Sequence, residues 1–215
     1  MILAAGRGER LRPLTDHTPK PLIPIAGTPL IVHQLRALER AGVRDVVVNL
    51  HHLGESIAAT LGNGAEFGVR ITYSREQTLL ETGGGIVRAL PLLGSDPFMV
   101  LAADIWTDYP FAQLFRSLGN DLAHLILVAT PAHRSGDFGL DGDRVTRDGE
   151  RPYTYAGISL IAPEMFDGAP RGPFPLRDLL FAAAKAGRLG GELWSGRWTD
   201  IGTPAQLEAL QRTTN

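Results

Sequence analysis

The sequence predicts an α/β fold with a mainly parallel sheet, on three observations. Short apolar runs without helical period alternate with stretches of helical spacing over the first half of the chain. Two of the runs, 45–50 and 98–103, are apolar on both faces, as strands covered on both sides are. Glycine and proline, 25 and 15 of 215 residues, fall mainly in the connections.

In chain order, residues 1–4 form a short buried strand that ends near glycine. Gly6-Arg7-Gly8-Glu9-Arg10-Leu11-Arg12 is then a loop with two glycines and three arginines. Glycine lets backbone N–H groups approach an anion, and arginine supplies permanently charged planar forks for phosphate oxygens. Pro13, Pro19, Pro21 and Pro24 are expected to hold the next segment extended, aiming Lys20 from between two prolines. Thr28-Pro29 is a helix-start signal, and Leu30, Ile31, Gln34, Leu35 and Leu38 follow at helical spacing up to Gly42. Strand 45–50, a helix over about 55–61 and strand 69–73 come next. Gly83-Gly84-Gly85 opens a further helix and is expected to leave its N-terminal N–H groups uncovered for a base or an anion. Asp104 ends the apolar strand 98–103, where ligands of open α/β sheets bind. Beyond it the pattern predicts strand 122–130, turns at 141–143 and 147–149 that make a small antiparallel excursion, and strand 155–161. A helix over 176–186 and a terminal helix from Ala205 to about Arg212 complete the chain.

A length of 215 residues fits one large domain with a substantial core. The net charge of −2, without a long charge run, points away from nucleic acid and from membrane surfaces, and no apolar stretch suits a membrane span. With no cysteine, disulfides, thiolate metal sites and a cysteine nucleophile are excluded. The six histidines show no catalytic or zinc-type spacing. Met1 leads directly into the first strand, so the cytoplasm is the expected location. Leu11 stands where a dinucleotide fingerprint needs glycine, which disfavours an oxidoreductase, and no Gly-Lys-Ser/Thr opens a helix as a Walker A loop requires.

What remains is LAAGRGERLRPLT followed by PKPL, a sequence that resembles the signature of the sugar-1-phosphate nucleotidylyltransferases. The resemblance runs over nearly the whole chain. Within the family it is strongest to the N-acetylmuramate-1-phosphate uridylyltransferases of bacterial cell-wall recycling, helped by Trp106-Thr107-Asp108-Tyr109. It implies a Rossmann-like three-layer fold with a mainly parallel, mixed central sheet, in a single domain of residues 1–215. Nucleotide would bind to residues 1 to about 110 and sugar to the remainder.

The resemblance also implies roles. Asp104 and Asp200, the latter in Trp198-Thr199-Asp200-Ile201-Gly202-Thr203-Pro204, would hold Mg²⁺. Arg10, Lys20 and Asp104 would be catalytic, and Lys20 would bridge the α-phosphate and the incoming sugar phosphate. Leu3, Ala4, Ala5, Gly6, Arg7, Gly8, Lys20, Glu76, Thr82, Gly83 and Ala102 would contact the nucleotide, and Glu81, Asp137 and Gly157 the sugar phosphate. The chain departs from the family in one place: Ala102-Ala103 precedes Asp104, where glycine, often preceded by asparagine, is usual. Glu76 can accept from uracil N3–H or equally from guanine N1–H and N2–H, so the base stays open. Arg88, Arg134 and Arg177 are alternative partners for a lactyl carboxylate. The implied substrates are UTP and a sugar 1-phosphate. A hexose-1-phosphate guanylyl-, uridylyl- or thymidylyltransferase is the nearest alternative, and a non-catalytic nucleotide-sugar sensor is one of another class. A single domain without an appended helix bundle points to a monomer.

Overall fold

The computed structural model describes residues 1–132 and 134–214; His133, at the head of the loop that leads to Asp137, lies outside them. In chain order the strands and α-helices are β1 (Ile2–Leu3), β2 (Pro24–Ile25), β3 (Thr28–Pro29), α1 (Leu30–Arg40), β4 (Asp45–Leu50), α2 (Gly54–Leu61) and β5 (Arg70–Arg75). There follow α3 (Glu81–Leu93), β6 (Phe98–Ala102), β7 (Ile105–Thr107), β8 (Ala123–Ala129), β9 (Gly139–Asp141), β10 (Arg144–Thr146) and β11 (Tyr153–Ile161). The last are α4 (Leu176–Lys185), β12 (Leu189–Leu193), β13 (Trp198–Asp200) and α5 (Pro204–Thr214). Among the described residues no helix is long and apolar enough to cross a membrane.

The chain divides into two compact units. The first takes residues 1–79, 102–112 and those from 197 onward; the second takes 80–101 and 113–196.

In the first unit β5, β4 and β1 form a parallel ladder in that order, with Leu3 opposite Asn49 and Asp45 to Leu50 opposite Arg70 to Arg75. β4 is buried from Val46 to Leu50, which is why it reads as apolar on both faces. The end of the chain also belongs here: β13 pairs antiparallel with β7, setting Asp200 opposite Ile105. Leu11, Ile23, Ile25 and Leu30 share one buried cluster with Ile201, Leu207 and Leu210. Burying each such side chain contributes about 1.5–3 kcal/mol, and this cluster locks the arginine loop to the strand that carries Asp200.

In the second unit the strand order is β6-β11-β8-β12-β10-β9. β11 runs antiparallel to both β6 and β8, β12 is parallel to β8, and β9–β10 is a hairpin that turns at Gly142. The α/β class and the antiparallel excursion expected from the sequence are therefore both present: a parallel ladder in one unit and a mixed one in the other.

Two local expectations fail. Thr28-Pro29 does not start α1: it pairs with Pro24-Ile25, and the helix begins at Leu30 without a side-chain cap. The reason is the turn between them, where Ala26 and Gly27 both have positive φ (47° and 75°) and so close a tight two-residue hairpin. The proline-rich segment is extended only in part, at Pro19 and at Pro24-Ile25. Elsewhere it folds into single 3₁₀ turns at Leu14–Asp16 and Lys20–Leu22. A proline φ near −65° serves the first turn of a helix as well as an extended chain, and here the turns prevail.

Candidate active site

The arginine loop is closed by its own backbone. Gly8, at φ 64°, accepts at its carbonyl from the Leu11 N–H (2.9 Å) and from the buried Thr15 hydroxyl (2.9 Å). A Cβ on Gly8 would stand 2.9 Å from Thr15 Cγ2, so this position requires glycine both for its φ and for the close approach. Arg7 and Arg10 stay exposed. With Gly8, Glu9, Lys20, Leu79 and Gly202 they line a cavity of about 380 Å³. Three cations against one carboxylate make this an anion-accepting recess. Gly202 lies close against Arg10: a Cβ there would stand 2.7 Å from the Arg10 guanidinium, so the arginine would have to shift.

Lys20, in its 3₁₀ turn, reaches Asp104 Oδ2 at 2.5 Å, and the two side chains are 12% and 38% exposed. Asp104 occupies the turn between β6 and β7, which is fixed on two sides. The Ala103 N–H donates to the Leu3 carbonyl (3.1 Å), and Gln34 Nε2 from α1 donates to the carbonyls of Ala102 (2.8 Å) and Ile105 (2.9 Å). Gln34 is 5% exposed, and its Oε1 is buried without a partner. The Asp104 carbonyl accepts the Ile201 N–H at 2.8 Å. The two aspartates, far apart in sequence, thus sit on adjacent backbone segments in the first unit, as an ion shared between them requires.

The donor set suits one class of metal. Among the described residues there is no group of three or more His, Cys, Asp or Glu that could hold an ion. Two carboxylates, one of them paired with a lysine that lines the cationic recess, fit the way Mg²⁺ is usually held, by one or two carboxylates completed by substrate phosphates and water. Asp104 and Asp200 are the residues that would hold it.

The remaining expected nucleotide residues of this unit are strongly engaged. Ala4 and Ala5 are buried and Leu3 is partly so. The Ala4 N–H donates to Asn49 Oδ1 (2.8 Å), while Asn49 Nδ2 donates to Glu76 Oε1 (2.7 Å). Glu76 is only 6% exposed, and its carbonyl meets His51 Nδ1 at 3.1 Å. Asn49 therefore ties the end of the first strand to the carboxylate expected to face the base.

The second unit carries Glu81, Thr82, Gly83, Asp137 and Gly157. Glu81 has a left-handed φ of 58°, strained for a residue with a side chain, at the first position of α3. The expectation of uncovered N–H groups at the three glycines does not hold: Gly83 and Gly84 both donate to the Phe174 carbonyl, at 2.9 and 3.2 Å. A Cβ on Gly83 would lie 2.2 Å from the Phe174 ring, and one on Gly84 2.2 Å from the Gly172 carbonyl oxygen. These glycines admit a neighbouring segment. Thr82 Oγ1 accepts from the Leu176 N–H (2.8 Å) and so caps α4. Asp137 Oδ2 accepts from the Tyr155 N–H (3.1 Å), and its carbonyl accepts from Arg147 (2.8 Å). Gly157, at φ 76°, lies where the β11–β8 register shifts between Tyr155 and Ser159. Of the three candidate lactyl partners, Arg134 is 3.7 Å from Asp137 and Arg177 3.7 Å from Asp178.

Comparison with known proteins decides the family: the nucleotidyl transferase model matches residues 1–215. The chain belongs to the nucleotidyl transferase family. It is 45% identical, over 98% of its length and 96% of the relative's, to the N-acetylmuramate alpha-1-phosphate uridylyltransferase of Neisseria meningitidis serogroup B. It is 37% identical to the protein of the same name from Caulobacter vibrioides, over 99% of this chain and 95% of that one. A Bacillus anthracis structure, provisionally assigned as a glucose-1-phosphate thymidylyltransferase and solved with a sucrose, superposes with a TM-score of 0.88 at 25% identity, covering 99% of this chain and 93% of that one.

Three residues bonded to these candidate segments escaped the sequence reading: Gln34, Asn49 and Gln206, whose Nε2 donates to Asp200 Oδ1 at 2.8 Å. Gln34 and Asn49 did leave a signal, since each is a polar residue inside an otherwise apolar buried pattern, and such residues are kept for the bonds they make.

Proposed function

We propose that the chain transfers a uridylyl group from UTP to N-acetylmuramate 1-phosphate, giving UDP-N-acetylmuramate and pyrophosphate, with Mg²⁺ as cofactor, in the cytoplasm and in the service of peptidoglycan recycling. The observation that supports the reading is that Lys20, which lines the arginine-bearing recess, is paired with Asp104, whose carbonyl accepts from the residue after Asp200. The names of the relatives supply the substrates.

The chemistry requires little else from the protein. A phosphate monoester has its second pKa at about 6, so the attacking oxygen is already anionic and needs no general base. That oxygen bonds to the α-phosphorus of UTP, the bond from the α-phosphorus to the bridging oxygen breaks, and pyrophosphate departs with the electron pair. The obstacle is bringing two anions together. Lys20 positions the sugar phosphate beside the α-phosphate and offsets the charge that develops there. Arg10 neutralises the departing pyrophosphate, and Arg7 with the backbone of Gly6 and Gly8 cradles the phosphates. Glu76, oriented by Asn49, accepts from uracil N3–H. Thr82, Gly83 and Ala102 line the nucleotide, and Glu81, Asp137 and Gly157 the sugar phosphate. Asp104 and Asp200 would hold Mg²⁺, which when bound would supply charge neutralisation for the triphosphate.

The test is a pyrophosphate-release screen with Mg²⁺ that crosses UTP, GTP, dTTP and CTP with several sugar 1-phosphates. Release confined to UTP with N-acetylmuramate 1-phosphate is the expected result. Release with GTP and a hexose 1-phosphate would retain the mechanism and replace the substrates. No release from any pair, with UDP-sugar binding intact, would mean a sensor.

A further inference from the structure

We infer that Gln206 is a positioning residue that fixes the orientation of Asp200 for the metal, and that it does so with a donor which its role as a helix cap does not use. The inference rests on the reading of Asp200 as a metal ligand.

Thr203-Pro204-Ala205-Gln206 has the spacing of a capping box, with proline at the first helical position. The Gln206 N–H donates to Thr203 Oγ1 at 3.3 Å, the first half of such a box. In place of the cap residue's own N–H, Gln206 Oε1 accepts from the preceding Gly202 N–H (3.0 Å) and from the Thr203 hydroxyl (3.0 Å). A glutamate would serve that purpose equally well, because the box needs only an acceptor. The amide Nε2 donates elsewhere, to Asp200 Oδ1 at 2.8 Å. The partners fix which way the amide faces: a carboxylate needs the N–H, and the Gly202 N–H needs the oxygen.

The side chain therefore couples two things. One end closes the first turn of α5, anchored through Leu207 and Leu210 in the cluster with Leu11 and Ile23. The other end holds one oxygen of Asp200, itself on β13 opposite Ile105. A partner of this kind behind a ligating carboxylate determines how the ligand presents its oxygens, and losing it commonly weakens metal binding about 10–100-fold.

The experiment titrates Mn²⁺ into the protein with UTP present, following free Mn²⁺ by electron paramagnetic resonance, with the melting temperature measured alongside. Gln206→Met removes both functions, while Gln206→Glu keeps the cap acceptor and replaces the donor with a like charge. The expected result is Mn²⁺ affinity about 10–100-fold weaker in Gln206→Met, and a wild-type melting temperature with altered Mn²⁺ affinity in Gln206→Glu. Wild-type Mn²⁺ affinity in both variants, with only the melting temperature of Gln206→Met lowered, would overturn the inference and leave a cap. Asp200→Asn separates the two levels of failure. If it weakens Mn²⁺ binding and the Gln206 variants do not, the inference alone falls. If it binds Mn²⁺ as the wild type does, Asp200 is not a ligand and the inference falls with that reading.

Discussion

Lys20 Nζ lies 2.5 Å from Asp104 Oδ2, joining positions 84 residues apart. The ammonium is the more enclosed partner, at 12% against 38% exposed. A carboxylate expected to bind a divalent ion is thus matched by a fixed cation. An incoming ion is opposed by that lysine until phosphate oxygens arrive to share it, so metal and triphosphate should bind together rather than in sequence.

Replacing Lys20 by alanine should therefore act in two directions. Turnover should fall about 10²–10³-fold, the usual consequence of losing one fixed contact to transition-state charge. Affinity for Mn²⁺ alone should rise, because the competing cation has gone. Steady-state kinetics and a metal titration on the same preparation check both, and near-normal turnover would remove Lys20 from the mechanism.

Asn49 links Ala4 and Glu76 by two buried hydrogen bonds. Asn49→Leu fits the apolar strand around it but leaves the Ala4 N–H and the Glu76 carboxylate each short of a partner. The unmatched Ala4 N–H alone costs about 1–3 kcal/mol, which urea unfolding can measure. The same variant should narrow the preference for UTP over GTP in pyrophosphate release, because Glu76 is no longer held in one orientation. A variant that is destabilised yet retains full base preference would detach Asn49 from specificity.

At Gly83 an added methyl group would sit 2.2 Å from the Phe174 ring. Gly83→Ala should cost about 1–3 kcal/mol as overpacking. Shortening the obstacle tests the cause: in the double variant Gly83→Ala with Phe174→Leu, part of that loss should return, a coupling that a double-mutant cycle resolves. Strictly additive losses would show that the ring is not what excludes the methyl.

Much of this fold was legible because periodicity reports burial directly. β4, β8 and β11 read as strands because their buried residues are apolar and β-branched, and Asp104 read as a site residue because it ends such a strand. Local signals with two outcomes were not legible. Thr28-Pro29 is a good helix start until Ala26-Gly27 folds it back on Pro24-Ile25, and a run of prolines suits 3₁₀ turns as well as extended chain. Gly83 and Gly84 looked like a ligand cradle because sequence shows that space is needed, never what fills it; Phe174 and Gly172 lie about 90 positions away. Gln206 was hidden for another reason. Its spacing from Thr203 fits a helix cap, and nothing in a cap shows that the spare amide will face a carboxylate.

His124 tests the second unit by pH. It is buried, 3.3 Å from Glu192, with Arg116 also bonded to that glutamate. Burial pushes its pKa below 6.5, the Arg116 charge adds to this, and Glu192 and Asp121 oppose them only in part. The folded protein thus refuses a proton that the unfolded chain accepts. Stability from this group is fully present above pH 6.5 and is lost as the pH falls from there towards the lowered folded value, below which the loss levels off. Other acidic groups titrate in the same region, so the informative quantity is the difference between wild type and His124→Gln. That difference in unfolding free energy should shift in favour of the variant between pH of about 7 and about 5, with a slope of at most one proton. Parallel curves across that interval would mean that His124 carries the same charge in both states, and that the neighbouring carboxylates fully offset burial.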